Sequence, residues 1–283
     1  PKGLKVRIID HVVNKGLGET RNTAINEAKG EFIYFMDTDD VITVDCIERL
    51  VTYMIETPVD FVAASRERRY FDGRLIAEDI YQPVLVNNKN RFSVAEFRFV
   101  QNHKILGEIW NKLYKLSFLR DNNIHCIPGL HVEDVSFSYQ VILYATSCRL
   151  VADCTYIYKI HEGQSFEAFQ NNKERSVFLA ENFLKIKEYD IKLIEAFKTH
   201  KMYGSLLVGV LNVSLLHSKM IFKSTVLNRK EKKKIIQQLL STPLRFSMLF
   251  QISTKWNLIF FYYVIERLPF NFKIKLLSKY YGN

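Results

Sequence analysis

The chain has 283 residues, 48% hydrophobic and 25% charged, with 21 Phe and 15 Tyr; that is enough apolar material for one large domain or two smaller ones, and it excludes a disordered or low-complexity chain. Cys46, Cys126, Cys148 and Cys154 are scattered and form no CxxC pair, which argues against a zinc site or a disulfide framework and fits a reducing compartment. The net charge of +10 is uneven: residues 201–283 hold 14 Lys and Arg against Glu231 and Glu266, a net of +12, whereas residues 1–200 hold 26 basic and 28 acidic residues, a net of −2, so a basic tail region implies a polyanionic neighbour such as nucleic acid or an anionic membrane.

The opening PKGLKVRIID is charged and lacks the form of a signal peptide. LKVRIIDHVV has the β-branched richness of a first strand. NKGLGETRNTAINEAKG follows with a glycine-bearing turn and a helix, whose apolar face is Ala24, Ile25 and Ala28 and whose stop is Gly30. EFIYFM then reads as a short buried strand, so strand, helix and strand in succession predict parallel strands of an α/β sheet. Thr43 is the expected N-cap of a helix carrying Ile47, Leu50, Val51, Met54 and Ile55 at helical spacing.

DFVAAS is another expected strand, and RERRYFDGRLIAEDIY a hairpin turning at Asp72-Gly73. Ser93 to Glu96 has the capping-box form of a helix start. EIWNKLYKLSFLRDNNI reads as a strand edge and a short helix. HVEDVSFSYQVILYA is a helix with Val135, Tyr139, Ile142 and Leu143 on one face, which puts Glu133 and Asp134 in its first turn. CRLVADCTYIYKIH reads as strands. From Glu174 onward the pattern is helical, punctuated by Pro243 and Pro269, so a boundary near residue 165 divides residues 1–165 from a helical, basic region 166–283. No apolar run reaches the roughly 18 residues of a membrane helix; LLVGVLNVSLL and WNLIFFYYVI read as core helices or as segments lying in a membrane interface.

Several stretches carry chemistry. FIYFMDTDD runs from an apolar strand into Asp37, Asp39 and Asp40. Carboxylates so close repel unless a cation stands between them. In an open α/β sheet, ligands bind beyond the carboxyl ends of strands, and hard carboxylate oxygens suit Mg²⁺ or Mn²⁺ held jointly with substrate phosphates. The plain reading of the same residues is a solvated turn with a helix cap. Asp134, in EDVSF, is either a helix-start acid favoured by the dipole or a general base. In NKGLGETRN, Arg21 offers a planar fork for phosphate or carboxylate, or pairs with a nearby Asp. Trp110 in WNKLY could stack on a sugar or fill the core. Lys112 could neutralise a phosphate or sit in solvent, and His161 in YKIHEGQS could ligate a metal or be structural.

Taken in order, NKGLGETRN, AKGEFIYFMDTDD, IWNKLY, GLHVED and YIYKIHEGQS closely resemble the GT-A-fold glycosyltransferases of family 2, the bacterial enzymes of capsular, exopolysaccharide and lipopolysaccharide synthesis. The resemblance covers residues 5–165 and implies a GT-A catalytic domain over 1–165, a nucleotide-diphospho-sugar transferase sheet flanked by helices, followed by a helical basic region. It implies inverting transfer of a sugar from a nucleoside-diphosphate sugar, a UDP-sugar in the first place, to a hydroxyl of a glycan or lipid-linked acceptor. Asp37, with Arg21, Asn22, Lys112 and Trp110, would shape the donor pocket. Asp39 would hold Mn²⁺ or Mg²⁺ with Asp40 supporting and His161 completing the site. Asp134 would be the base, and Glu133 would orient the acceptor or loop.

Family members open with a further strand, helix and strand bearing a Pro-Tyr-Asn signature. Only 13 residues precede Asn14, so the chain is expected to lack that donor-binding segment of several tens of residues. A competing reading is a non-catalytic membrane-surface or scaffold protein. The basic tail is expected to attach to the inner face of a cytoplasmic membrane through Lys230–Lys234 and Lys273–Lys279, with Trp256, Phe260, Phe261, Tyr262 and Tyr263 at the boundary. A solvated helical bundle is the plain alternative. Nucleic-acid binding is set aside, because no RRM, KH or zinc-finger pattern is present.

Overall fold

The computed structural model describes residues 5–87, 90–130, 132–160, 171–242, 244 and 255–280. Seven strands form one mixed sheet: β1 (Phe32–Tyr34), β2 (Val41–Ile42), β3 (Phe61–Tyr70), β4 (Leu75–Asp79), β5 (Val84–Asn87), β6 (Lys112–Lys115) and β7 (Ser147–Ile160). The order is β1-β6-β3-β7-β2, with β4 added on β3 and β5 on β7. Helices α1 (Leu17–Glu27), α2 (Cys46–Glu56), α3 (Ser93–Ala95, running into a π-helical turn Glu96–Val100), α4 (Leu116–Asp121) and α5 (Glu133–Tyr144) accompany the sheet. Then come α6 (Lys173–Glu195), α7 (Tyr203–Lys223), α8 (Arg229–Leu239), α9 (Trp256–Arg267) and α10 (Phe270–Tyr280). The α/β class, with a sheet flanked by helices and a helical C-terminal region, is the GT-A arrangement expected. The proposed boundary near residue 165 lies outside the described residues.

The run Phe61-Val62-Ala63-Ala64 explains why the sheet is covered on both faces. Alternate side chains of a strand point to opposite sides. Phe61 and Ala63 enter the large core with Tyr114, Phe137 and Leu143. Val62 and Ala64 meet Leu50 and Met54 of α2 in a second cluster. A continuous apolar run is the signature of a strand buried on both sides. The hairpin at Asp72-Gly73 forms as expected: Gly73 has φ 91°, which glycine takes without strain, and Tyr70 N donates to Arg74 O at 2.9 Å.

Several expectations fail for identifiable reasons. Residues 5–13 form no strand. A strand requires a neighbour to pair its backbone, and among the described residues none lies alongside; Val6, Ile8 and Val12 are 83%, 80% and 102% exposed. The segment instead runs along α1, where Arg7 donates to Glu27 O at 2.5 Å and His11 Nε2 contacts Thr23 Oγ1 at 2.9 Å. The parallel strand–helix–strand unit is likewise absent: β1 pairs antiparallel with β6, and the parallel pair among the described strands is β3 with β7. EFIYFM is not wholly buried, since β1 stops at Tyr34 and Met36 is exposed.

Asp45, not Thr43, is the N-cap residue of α2; Thr43 Oγ1 donates to its carboxylate at 2.7 Å. Ile47 and Ile55 face solvent, while Leu50 and Met54 are buried. The Ser93 capping box does not form, because Ser93 Oγ turns back to donate to Asn90 O. Helix α7, which carries LLVGVLNVSLL, is 21 residues long and by length and composition apolar enough to cross a membrane. Most of it packs into the core, with Leu206, Leu207 and Leu211 buried.

Candidate functional site

Three distant parts of the chain meet at Arg21. Helix α1 delivers it, and the helix is fixed at both ends. At its start Gly16 takes φ 83°, and a Cβ on Gly18 would stand 3.2 Å from Cys126 Cβ and 3.5 Å from Glu133 Cβ, so glycine permits this close approach to α5. At its end Arg120 donates to the carbonyls of Ile25, Asn26 and Ala28 at 2.7–3.0 Å, satisfying carbonyls that have no partner within the helix. In the middle, Asn22 bonds both backbone groups of Cys126: its Nδ2 donates to the carbonyl at 2.9 Å, and its Oδ1 accepts from the amide at 2.8 Å.

Arg21, 5% exposed, then reaches three carboxylates. Its Nη1 donates to Glu133 Oε1 and to Asp134 Oδ1, both at 2.5 Å, and its Nη2 to Asp37 Oδ1 at 2.9 Å. One cation thus faces three acids. Burial works against the guanidinium charge, but Asp134, then Glu133 and Asp37, outweigh it and hold the Arg21 pKa above its ordinary value. Asp134 is pushed up to about 6, chiefly by burial, with Arg21 opposing and the charges of Glu133 and Asp37 adding to the rise. Its side chain is 29% exposed, against 6% for Glu133. Burial separates their roles: Glu133 is sealed in with Arg21, whereas Asp134 keeps a face to solvent. Both lie in the first turn of α5 as expected. Val132, immediately before them, has φ 67°, a left-handed conformation that strains a β-branched residue.

The strand-tip aspartates also divide. Asp40 is buried and anchored: its Oδ2 accepts from Tyr156 OH at 2.6 Å and its Oδ1 from Lys159 N at 2.9 Å. Burial raises its pKa in spite of these bonds. Tyr156 OH also accepts from Asp37 N at 3.3 Å, so one tyrosine on β7 fixes the loop at both ends. Asp39, between them, is exposed. Asp37 and Asp39 are hard oxygen donors at a solvent-facing tip, a donor set that fits Mg²⁺ or Mn²⁺ sharing its other ligands with phosphate. Among the described residues no three His, Cys, Asp or Glu side chains gather as metal ligands, and His161 lies outside the described residues.

Trp110, Lys112 and Asn22 serve the scaffold. Trp110 is 5% exposed and stacks on Tyr156 at 4.4 Å and Tyr158 at 5.4 Å, with Arg66 over its ring at 4.8 Å. The indole is covered, so of the two readings its sequence left open, sugar platform or core, Trp110 takes the core one. Lys112 neither sits in solvent nor awaits a phosphate. It is 3% exposed, its Nζ donates to Glu108 O, and burial lowers its pKa against the pull of Glu108. Asn22 bonds Cys126 through both ends of its amide.

Sequence reasoning missed Tyr156 and Asn111. Asn111 takes φ 56°, as asparagine tolerates. Its Nδ2 donates to Ala64 O and Ser65 O, and its Oδ1 accepts from Thr155 Oγ1 at 3.0 Å. The available signal was an Asn set among the apolar and aromatic residues of IWNKLY, where a side-chain amide needs hydrogen-bond partners if the stretch is buried.

Residues 1–119 match the family Glycosyl transferase family 2. The chain is 33% identical over 193 residues to the putative glycosyltransferase EpsH of Bacillus subtilis (strain 168), an overlap of 63% of this chain and 54% of that protein. It is 27% identical over 136 residues to the UDP-Glc:alpha-D-GlcNAc-diphosphoundecaprenol beta-1,3-glucosyltransferase WfgD of Escherichia coli, 44% of this chain and 52% of that one. The crystal structure of S. aureus TarS 1-349 in complex with UDP-GlcNAc superposes with a TM-score of 0.46 at 16% identity, covering 82% of this chain and 74% of that chain. The chain spans about half the length of the curated relatives it matches.

Proposed function

We propose, on the premise that residues 1–119 belong to glycosyl transferase family 2, that the protein transfers a sugar from a nucleoside-diphosphate sugar to an acceptor hydroxyl in surface-polysaccharide synthesis, with inversion at the anomeric carbon. The observation that carries this reading is the Arg21 hub, which joins the donor-side Asp37 to the acceptor-side Glu133 and Asp134. The printed name of the Escherichia coli relative supports a UDP-sugar as donor.

In this reading Asp134 is the base. Its raised pKa, about 6, keeps it ionised at neutral pH and close enough to 7 to accept a proton from an incoming hydroxyl. Arg21 holds that carboxylate in place, and buried Glu133 holds Arg21. Asp37 carries the same guanidinium to the donor side. A single displacement then inverts the carbon, with the base on the face opposite the leaving group, by the logic of inverting glycosidases. Asp39, supported by the loop that Asp40 anchors, would hold Mn²⁺ or Mg²⁺. Such an ion supplies neutralisation of charge on the departing diphosphate.

Peripheral attachment to an anionic membrane belongs to the same reading. Trp256, Phe260, Val264 and Phe272 are 48%, 40%, 37% and 59% exposed on α9 and α10, and α8 opens with Arg229-Lys230-Glu231-Lys232-Lys233-Lys234. Tyr262 is not part of that surface, being 3% exposed with its hydroxyl donated to Asn212 Oδ1. Flotation with anionic liposomes at low salt is the check, and a protein that stays in the dense fraction refutes attachment.

The transferase test is release of UDP from UDP-sugars with Mn²⁺ by the wild type, Asp134→Asn and Asp39→Asn. Loss of transfer in Asp134→Asn with donor affinity retained supports the base. Transfer unaffected by either substitution overturns the mechanism and favours a non-catalytic protein.

A further inference from the structure

A cavity of about 300 Å³ lies where α5, the π-helical turn, α7 and the start of α9 meet, at the lower bound of small-ligand sites. Val135 and Ile142 of α5, Val208 of α7, Leu258 of α9 and Ile105 give it apolar walls. Its polar groups are unlike those walls. Arg98 and Lys255 line it, and among the described residues no Asp or Glu does. Arg98 is half-buried in the π-helical turn, stacked by its guanidinium over Phe99 at 5.4 Å and without an ion pair among the described residues; burial lowers its pKa, with only Tyr139 and Tyr81 pulling the other way. A half-buried cation without an anion is costly. Ser205, 3% exposed, lines the same cavity, and its Oγ has no hydrogen-bond partner among the described residues. Native interiors seldom leave such a group unsatisfied.

The space is not a packing fault. Beside it α7 is pressed so closely on the π-helical turn that a Cβ on Gly209 would stand 2.9 Å from Phe99 Cε1. Single π-helical turns within helices are frequent at functional sites, and this one carries Arg98.

We propose that this cavity binds an anionic amphiphile: a phosphate or carboxylate between Arg98 and Lys255, and a short apolar chain against Val135, Ile142, Val208 and Leu258. Val135 of the cavity wall follows Asp134 in the first turn of α5. That a bound amphiphile is part of the acceptor rests on the transferase reading above; that it binds does not.

The probes are octyl phosphate below its micelle concentration, octanol and inorganic phosphate, with binding measured by calorimetry and by the rise in Tm that a ligand of the folded state produces. Octyl phosphate is expected to bind at one site, at least about tenfold more tightly than either octanol or inorganic phosphate. Arg98→Gln and Lys255→Glu, both at half-buried side chains, are expected to weaken it about tenfold each while leaving the far-UV spectrum unchanged. Asp134→Asn is expected to bind it as the wild type does, so that loss of transfer and loss of this site are read separately. Octanol binding as tightly as octyl phosphate, or octyl phosphate affinity unchanged in both charge variants, overturns the proposal.

Discussion

Replacing Asp134 by Asn should make the protein more stable while stopping transfer. The hub holds three carboxylates around one guanidinium, so removing one acid relieves repulsion and leaves Arg21 neutralised by Glu133 and Asp37. The size follows from the carboxyl pKa, which rises from 3.8 to about 6 on folding. At about 1.4 kcal/mol per pH unit, that gap sets a ceiling of about 3 kcal/mol. The side chain is 29% exposed, and screening reduces the expected gain to about 1–2 kcal/mol.

The sign is set by linkage. Between about pH 4 and pH 6 the unfolded chain has released this proton and the folded chain retains it, so stability falls as pH rises through that window, and the full cost is present above it. Urea denaturation at pH 4 and pH 7.5 is the assay. Asp134→Asn should match the wild type at pH 4 and exceed it by about 1–2 kcal/mol at pH 7.5, while transfer falls by roughly 10²–10⁴-fold. Equal stability at pH 7.5, or the same gain at both pH values, would refute the claim that the hub is overloaded with negative charge.

Arg21→Ala should act in the opposite direction, costing about 3 kcal/mol in denaturant midpoint because Glu133 is left buried without its cation; Arg21→Lys should recover little, since a point charge cannot fork to three carboxylates. Tyr156→Phe should cost about 1–3 kcal/mol, as it strips Asp40 of its 2.6 Å hydrogen bond in a buried setting, and thermal melts read it directly. Asp39→Asn, at an exposed position, should shift stability by no more than about 0.5 kcal/mol yet abolish Mn²⁺-dependent UDP binding in calorimetry. Asp190 is 2% exposed with one oxygen unpartnered among the described residues, and burial pushes its pKa up to about 7; Asp190→Asn should therefore stabilise the protein above pH 7 and leave it unchanged near pH 4.

The sequence foretold what local pattern controls and failed where partners decide. The 133–144 helix was legible because Val135, Tyr139 and Ile142 recur at its period, and with it the siting of Glu133 and Asp134. The Asp72-Gly73 hairpin was legible because its turn needs a residue at positive φ. The strand at 5–13 was not, because β-branched residues mark a preference that only a neighbouring strand can realise. The pairing direction of β1 escaped for a related reason: its partner β6 lies some 80 residues onward, and nothing in FIY records which way that partner runs. Within the site, the acids were visible as acids. Their division into anchored Asp40, sealed Glu133 and accessible Asp134 depends on Tyr156, Arg21 and burial, none of which spacing reveals. Lys112 fits neither of its two readings, because a side chain beside a site in sequence can face inward; Trp110 does the same and takes the core reading left open for it.

Strand β7 works as a gauge bar for the sheet, from Arg149 near its start to the Asp40 anchor near its end. Arg149 meets Glu56, Asp153 takes Arg49 and Tyr53, Thr155 steadies Asn111, and Tyr156 and Lys159 pin Asp40. All these fittings are spaced along one backbone. Two register shifts against β3 fall between Val151 and Tyr156, so the fittings on either side are aligned by those irregularities as well as by the pleat, and losing a residue there would reset that alignment. The strand can thus drift by substitution over evolutionary time but has little freedom to change length, and a designer grafting a new acceptor loop would do better to cut elsewhere.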